Sequence, residues 1–503
     1  MTALAPTRTR AQRAARPAAR GSLLGAAVLG AVAGLAGGTA FGAAVNELGN
    51  LPAMALLLLA GSPVLGFAAH ILVSAMIGAV FGVFVRWGRP GPGETVCAGI
   101  AFGVLWWYLL PLTLMPMLLG VPPAWDLATA QQQLPGLLGH VVYGGVTGMA
   151  LVVLRRPGGW PAGITPGRLL SGALAGGLGT WLVAVALAGR LDPAVAAVTA
   201  DRSPSLTPLV AAFVVGPLLG IGWVLLYPGR AVPTGVALIR GQVYGFIWWV
   251  GAELSLVPLL EGNGLAWTVE QARTRLPSLL GFMLAGALVA LLDGRLVAMG
   301  RVLFSDDVPT RAPGGGYQAV LRDAAAGTAG GLLFTLVTWQ TGILGELARL
   351  VGGSMAAGLA VHLAMATVLG ISYGQLFRRD AWELGTALAW GVAYGLLWWV
   401  LGALTLLPIL LGGGPQWSAP AVQAAFPSLV GHIAFGVGLG ASFHVLETRF
   451  GSGRLQRRLG GGWDGAQREQ AGEDEDARGG PGPLWAVLLV LLLTLPVVVA
   501  GAR

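Results

Sequence analysis

Four histidines and one glutamate are the residues whose types and spacing could do chemistry in this chain. His70 and His140 are separated by seventy residues, as are His362 and His432, and Glu253 falls between the two pairs. Imidazoles relay protons near neutral pH, hold haem iron when two face each other, or bond to stray backbone carbonyls. An ionised carboxylate in hydrocarbon costs on the order of 3 kcal/mol, so such a group is neutral, paired or in a wet cavity. Thr113, Ser255 and Thr405, at equivalent positions along the chain, are expected to bring hydroxyls close to the same depth. His444 stands apart, near the end of its apolar run, and reads as an interfacial residue.

The elements that must position these groups follow from a threefold spacing rule, G-x3-G-x2-W-W-x8-P-x8-W-x9-P-x3-G-[HF]-x3-G. Its first copy holds Gly99, Gly103, Trp106, Trp107, Pro116, Trp125, Pro135, Gly139, His140 and Gly144. The second holds Gly241, Gly245, Trp248, Trp249, Pro258, Trp267, Pro277, Gly281, Phe282 and Gly286, and the third Gly391, Gly395, Trp398, Trp399, Pro408, Trp417, Pro427, Gly431, His432 and Gly436. The shift is a constant 142 residues from Gly99 to Gly241 and a constant 150 from Gly241 to Gly391. Such a period marks a repeated structural unit. The extra residues of the third copy fit most simply in the polar stretch Ser305 to Gly316.

Composition names the solvent. The chain has 503 residues, 55% of them hydrophobic and only 10% charged, and its mean hydropathy is +0.73, which leaves too few charges for the surface of a water-soluble protein. Runs long enough to cross about 30 Å of hydrocarbon as helix lie near 21–45, 63–86, 95–119, 134–154, 168–189, 208–227, 235–260, 277–298, 323–343, 355–377, 384–411, 427–446 and 483–500. The expected fold is therefore all-α and polytopic, with three parallel four-helix units plus one terminal helix. Their bounds are a basic tail at 1–20, units at 21–158, 163–304 and 317–450, a charged linker at 451–482, and the last helix at 483–503. The 81 glycines suit close helix approach in lipid. The pairs Gly99 and Gly103, Gly241 and Gly245, and Gly391 and Gly395 are expected to pack helices within the chain, while Trp125, Trp267 and Trp417 are expected to anchor an external loop in the headgroup layer.

Orientation follows from arginine, since all 30 basic residues are arginines; an inside N-terminus puts 24 of them on the cytoplasmic side and the C-terminus outside. The expected location is a bacterial cytoplasmic membrane, and the high pI reports topology with no role for nucleic acid. Residues 1–45 could be read as a signal peptide, but internal counterparts of helix 21–45 make it a membrane span. Cys97 is the lone cysteine, so no disulfide forms within the chain. No P-loop, H-E-x-x-H or Cys/His cluster occurs, and enzyme chemistry is not expected.

Counting at 1.5 Å per residue puts all four histidines and Glu253 roughly 10 Å below the outer surface. Three readings of this layer compete. Protons or a small solute bind or pass there; or His70 with His140 and His362 with His432 hold two b-type haems; or the imidazoles are structural glue on a scaffold. Glu253 favours the first. Arg240 is too far along the same helix to pair with it, so its partner must come from another helix, with the flanking histidines as candidates. An even number of spans makes the units parallel, and three such units suggest a fused pseudo-trimer, possible as a monomer, with a pathway or site at its centre.

The first unit, with His70-x3-Ser74-x3-Gly78, the helix Ala98–Leu119 ending Gly120-Val121-Pro122-Pro123, and Gly139-His140, resembles the YagU-type bacterial inner-membrane family. That resemblance implies one such unit per family member, with His70 and His140, and again His362 and His432, at the family's histidine positions. Ala212 and Phe282 depart from the pattern in the middle unit. The family's association with acid tolerance is compatible with a transport-like or stress-related role in handling protons or small solutes.

Overall fold

The computed structural model describes residues 22–49, 62–86, 90–118, 120–155, 164–187, 211–228, 233–304, 317–341, 343–350, 352–381, 383–451 and 482–500. The basic tail, the stretch from 305 to 316 and nearly all of the charged linker lie outside the described residues. The chain is all-α. Its first unit contains α1 (Leu23–Glu47), α2 (Pro63–Phe84), α3 (Pro92–Leu118), the short α4 (Leu127–Gln132) and α5 (Leu134–Leu154). The second contains α6 (Pro166–Leu187), α7 (Gly216–Leu226), α8 (Thr234–Leu260), the short α9 (Val269–Thr274) and α10 (Leu276–Phe304). The third contains α11 (Tyr317–Thr341), α12 (Ile343–Leu350), α13 (Met355–Phe377), α14 (Leu384–Leu410), the short α15 (Ala419–Ala424) and α16 (Phe426–Phe450), and the last helix is α17 (Gly482–Val499).

Among the described residues, 11 helices are long and apolar enough to cross a membrane. Two of the thirteen expected spans fall outside that set. They are α6 and α7, the first pair of the middle unit, whose facing ends run into undescribed residues.

Each unit is packed in one way. The first long helix lies against the second and the fourth, and the third lies against the fourth. The glycine pairs explain how closely. A Cβ at Gly99, Gly241 or Gly391 would fall under 3.0 Å from the carbonyl oxygen of Gly144, Gly286 or Gly436 on the fourth helix. One turn on, Gly103, Gly245 and Gly395 meet the carbonyls of His140, Phe282 and His432 in the same way. These glycines pack helices inside the unit, as expected, because close backbone approach is one of the ways apolar helices gain packing that lipid does not give.

The third helices share an interruption that the spacing rule encodes. Pro116, Pro258 and Pro408 lack an N–H, which frees the carbonyls of Leu112, Leu254 and Leu404 one turn earlier. The helix widens there into π segments, Leu110–Leu114, Trp249–Leu256 and Trp399–Leu406. The loop beyond the helix then returns. The amides of Ala124, Ala266 and Gln416 donate to those three carbonyls at 2.8, 2.9 and 2.7 Å. A backbone acceptor left bare in lipid is costly, and the eight residues between Pro and Trp are the length of chain needed to come back and cover it.

The residue after each of these amides is the loop tryptophan. Trp125, Trp267 and Trp417 donate their indole N–H to the hydroxyls of Thr113, Ser255 and Thr405 at 3.1, 3.0 and 3.0 Å. Those hydroxyls donate in turn to carbonyls five residues back, at Tyr108, Val250 and Val400. This corrects the expectation of headgroup anchors for two of the three. Trp125 is 68% exposed, but Trp267 and Trp417 are buried, at 1% and 3%. Their rings lie in the main apolar core because the loop folds back onto the bundle.

The units meet through their third helices, α3 against α7 and α8 against α13 and α14. Where all three units converge stands α17. It touches α3, α8 and α14 and also the short helices α4, α9 and α15, and more than half of it is buried, including Val487, Leu488, Leu491, Leu495 and Val498. Gln131 of α4 donates to the carbonyls of Val497 and Ala500 at 3.1 and 2.8 Å, closing the helix's last turn. The central position expected for a pathway or site is thus filled by the terminal helix.

Candidate functional site

The structure gathers the histidines in pairs, each inside one unit. His70 and His140 both meet the ring of Phe41, with centroids 5.3 and 4.9 Å apart and edge-to-face geometry. His362 and His432 meet Phe334 likewise, at 5.0 and 4.6 Å. The first helix delivers the phenylalanine, the second and fourth the imidazoles. Gly139 and Gly431 make the room, since a Cβ at either would strike the phenylalanine ring.

Every one of the four rings spends a nitrogen on backbone. His70 Nε2 lies 2.9 Å from Gly38 O and His362 Nε2 3.1 Å from Gly331 O, joining second helix to first. His140 Nδ1 lies 2.7 Å from Gly136 O and His432 Nδ1 2.8 Å from Ser428 O, one turn back along the fourth helix. A haem between two imidazoles needs both rings aimed at one iron across an open slot. Here both members of each pair pack edge-on against one phenylalanine ring. No group of three or more His, Cys, Asp or Glu side chains that could hold a metal ion occurs among the described residues.

Glu253 lies elsewhere, in the π segment of α8 and 5% exposed. Its partner is Arg275, whose Nε lies 3.9 Å from Glu253 Oε1. The partner was expected on another helix, with the histidines of the flanking units as candidates; it is instead the turn residue between α9 and α10 of the same unit. Arg275 precedes α10 and is seated by its own carbonyl, which accepts the Trp249 indole at 2.9 Å and the Ser278 hydroxyl at 2.6 Å. Its side chain keeps 26% exposure, so one end of the pair reaches the surface.

Of the residues singled out by sequence, the two histidine pairs each converge, Glu253 lies apart from them with Arg275 and Ser278, and Thr113, Ser255 and Thr405 serve the loop tryptophans. Sequence reasoning missed Arg275, Phe41 and Phe334. A signal for Arg275 was present: its counterparts are Gln133 and Ala425, and those of Glu253 are Pro111 and Ala403. Two opposite charges thus depart from the pattern in the same unit.

The remaining buried charges cluster toward the arginine-rich helix ends. Glu94 of α3 pairs with Arg240 of α8 across the boundary between the first two units, and the guanidinium stacks over Tyr227 at 5.0 Å. Arg168 grips Asp293, which also accepts the Trp223 indole at 3.1 Å. Arg378 bridges Asp323 and Glu447, joining the second helix of the third unit to its first and fourth. At the opposite end, Asp126 caps α4, accepting from the Thr129 amide at 2.9 Å and its hydroxyl at 2.7 Å. Those bonds hold its carboxyl below the ordinary carboxylate range.

Comparison with family models, with curated proteins and with solved structures gives no match. What the fold and its apolar helices establish is the class, an all-α polytopic membrane protein.

Proposed function

We propose that this protein handles protons or a small solute in a bacterial cytoplasmic membrane, in the manner of a transport or stress-response component, and that the middle unit does the chemistry. One observation carries the reading: Glu253 is a buried carboxylate within a membrane-spanning helix, with the Ser278 hydroxyl beside it and its one opposite charge, an arginine that reaches the surface, 3.9 Å away. A pair made only for stability would be close and fully bonded, because a loosely compensated charge is expensive in such surroundings. The histidine pairs of the flanking units act as interhelical ties in this reading, since each ring gives one nitrogen to a carbonyl and both rings of a pair pack on one phenylalanine.

The test is flux across liposomes holding the purified protein, with a pH gradient as driving force. Glu253→Gln is expected to lower proton or solute flux at least tenfold, and Arg275→Gln to change it as well. Flux unchanged in Glu253→Gln would leave a scaffold with structural histidines as the surviving account. The absorption spectrum is expected to lack a Soret band; a band lost in His70→Ala or His432→Ala would bring back the haem reading.

A further inference from the structure

Gln242 is the most unusual side chain in the interior. It lies on α8, is 1% exposed, and neither its Nε2 nor its Oε1 has a hydrogen-bond partner. The residues at the matching positions of the first and third units are Ile100 and Val392. An aliphatic side chain satisfies this place in the fold, so packing does not call for an amide. An amide with both ends bare in an apolar interior is strongly disfavoured, and groups of this kind usually bind an ordered water.

Its place on the helix gives it a neighbour in function. Gln242 and Glu253 are eleven residues apart on α8, between two and a half and three turns with the π segment between them, a separation of about 15 Å along the helix. Arg240, two residues before Gln242, turns to the other side and pairs with Glu94. Around Gln242, α8 is buried continuously from Ile239 to Phe246, out of reach of lipid. No other third helix places an amide or a carboxylate at either of these two positions; the first unit has Ile100 and Pro111, the third Val392 and Ala403.

We infer that Gln242 is a binding site for an internal water, its amide both donating to and accepting from that molecule, and that this water is the second station on the path that Glu253 serves. The inference rests on the proposed role of Glu253 for its function, though the water site itself does not. A proton leaving the Glu253 carboxylic acid needs an acceptor inside the bundle. With about 15 Å of helix between the two groups, the proton passes along a file of waters, in which each molecule, the one held by Gln242 included, takes up one proton and releases another with no change in its own composition.

Two measurements decide it. In the liposome assay, Gln242→Leu, close in volume and apolar, is expected to lower proton flux at least tenfold while thermal unfolding of the purified protein stays within a few degrees of wild type; Gln242→Glu is expected to keep most of the flux. In a high-resolution map of the full chain, a water is expected within hydrogen-bond reach of the Gln242 amide. Wild-type flux in Gln242→Leu alongside lowered flux in Glu253→Gln would overturn the station while sparing Glu253. If no variant differs and the wild-type chain conducts nothing, the role of Glu253 fails and the map alone judges the water site, a dry amide overturning it.

Discussion

A hydroxyl at positions 113, 255 and 405 does the same local work three times, accepting an indole proton and donating its own to a carbonyl five residues back. Its value differs with surroundings. Where the indole is buried, as at Trp267 and Trp417, removing the hydroxyl strands a donor with no water to replace it, a loss of about 1–3 kcal/mol. Where the indole is exposed, as at Trp125, solvent or headgroups take over. Thr405→Val and Ser255→Ala are therefore expected to lower the midpoint of thermal unfolding in detergent clearly, and Thr113→Val by much less. Equal effects at all three would contradict this account.

Among elements, the third helix of each unit is the part under most constraint. It is pinned on one side by glycines against the fourth helix and broken near its end by a proline whose freed carbonyl the loop must cover. Two glycines of α8 separate these effects. A Cβ at Gly245 would collide with the Phe282 carbonyl, whereas one at Gly251 meets nothing within 4 Å. Gly245→Ala is expected to force α8 away from α10, at a cost of about 1–3 kcal/mol, and to reduce the folded yield. Gly251→Ala is expected to be neutral; size-exclusion profiles after heating would show whether the two variants part in this way.

At the scale of the whole molecule, α17 is what the three units have in common, touching the third helix and the short helix of each. In lipid its contribution is packing rather than escape from water, because hydrocarbon chains are as apolar as its leucines and valines. Lipid cannot fill a slot shaped for one helix as well as that helix does. A chain ending at residue 481 is expected to unfold at a lower temperature than wild type and to lose more than Gln131→Ala, which removes only the two bonds to the last turn. An unchanged midpoint in the shortened chain would mean that the units hold together without it. The Glu94–Arg240 pair tests the boundary between the first two units: Glu94→Gln leaves a buried guanidinium poorly compensated, with an expected loss of about 3–5 kcal/mol. Replacing both residues by leucine is expected to cost less than Glu94→Gln alone.

What the order of residues determined by itself was the solvent, the helices and their local punctuation. Apolar runs long enough to span a bilayer end where arginine, proline and glycine place them, because each of those signals acts over one or two turns. The helices Leu134–Leu154 and Met355–Phe377 match their expected bounds, and the glycine contacts were legible as small residues at helical spacing. Partnership across the fold was not. Phe41 against two histidines, Arg275 beside Glu253, and α17 at the meeting point of the units all join residues far apart in the chain, and no periodicity carries that information. Burial of Trp267 and Trp417 is of the same kind, for an indole in a polar-looking loop is an anchor or a core residue according to where the loop folds. Only the tertiary structure decides this, since in a membrane the helices gain little from leaving lipid and settle their neighbours by shape and by which backbone and side-chain groups need a partner.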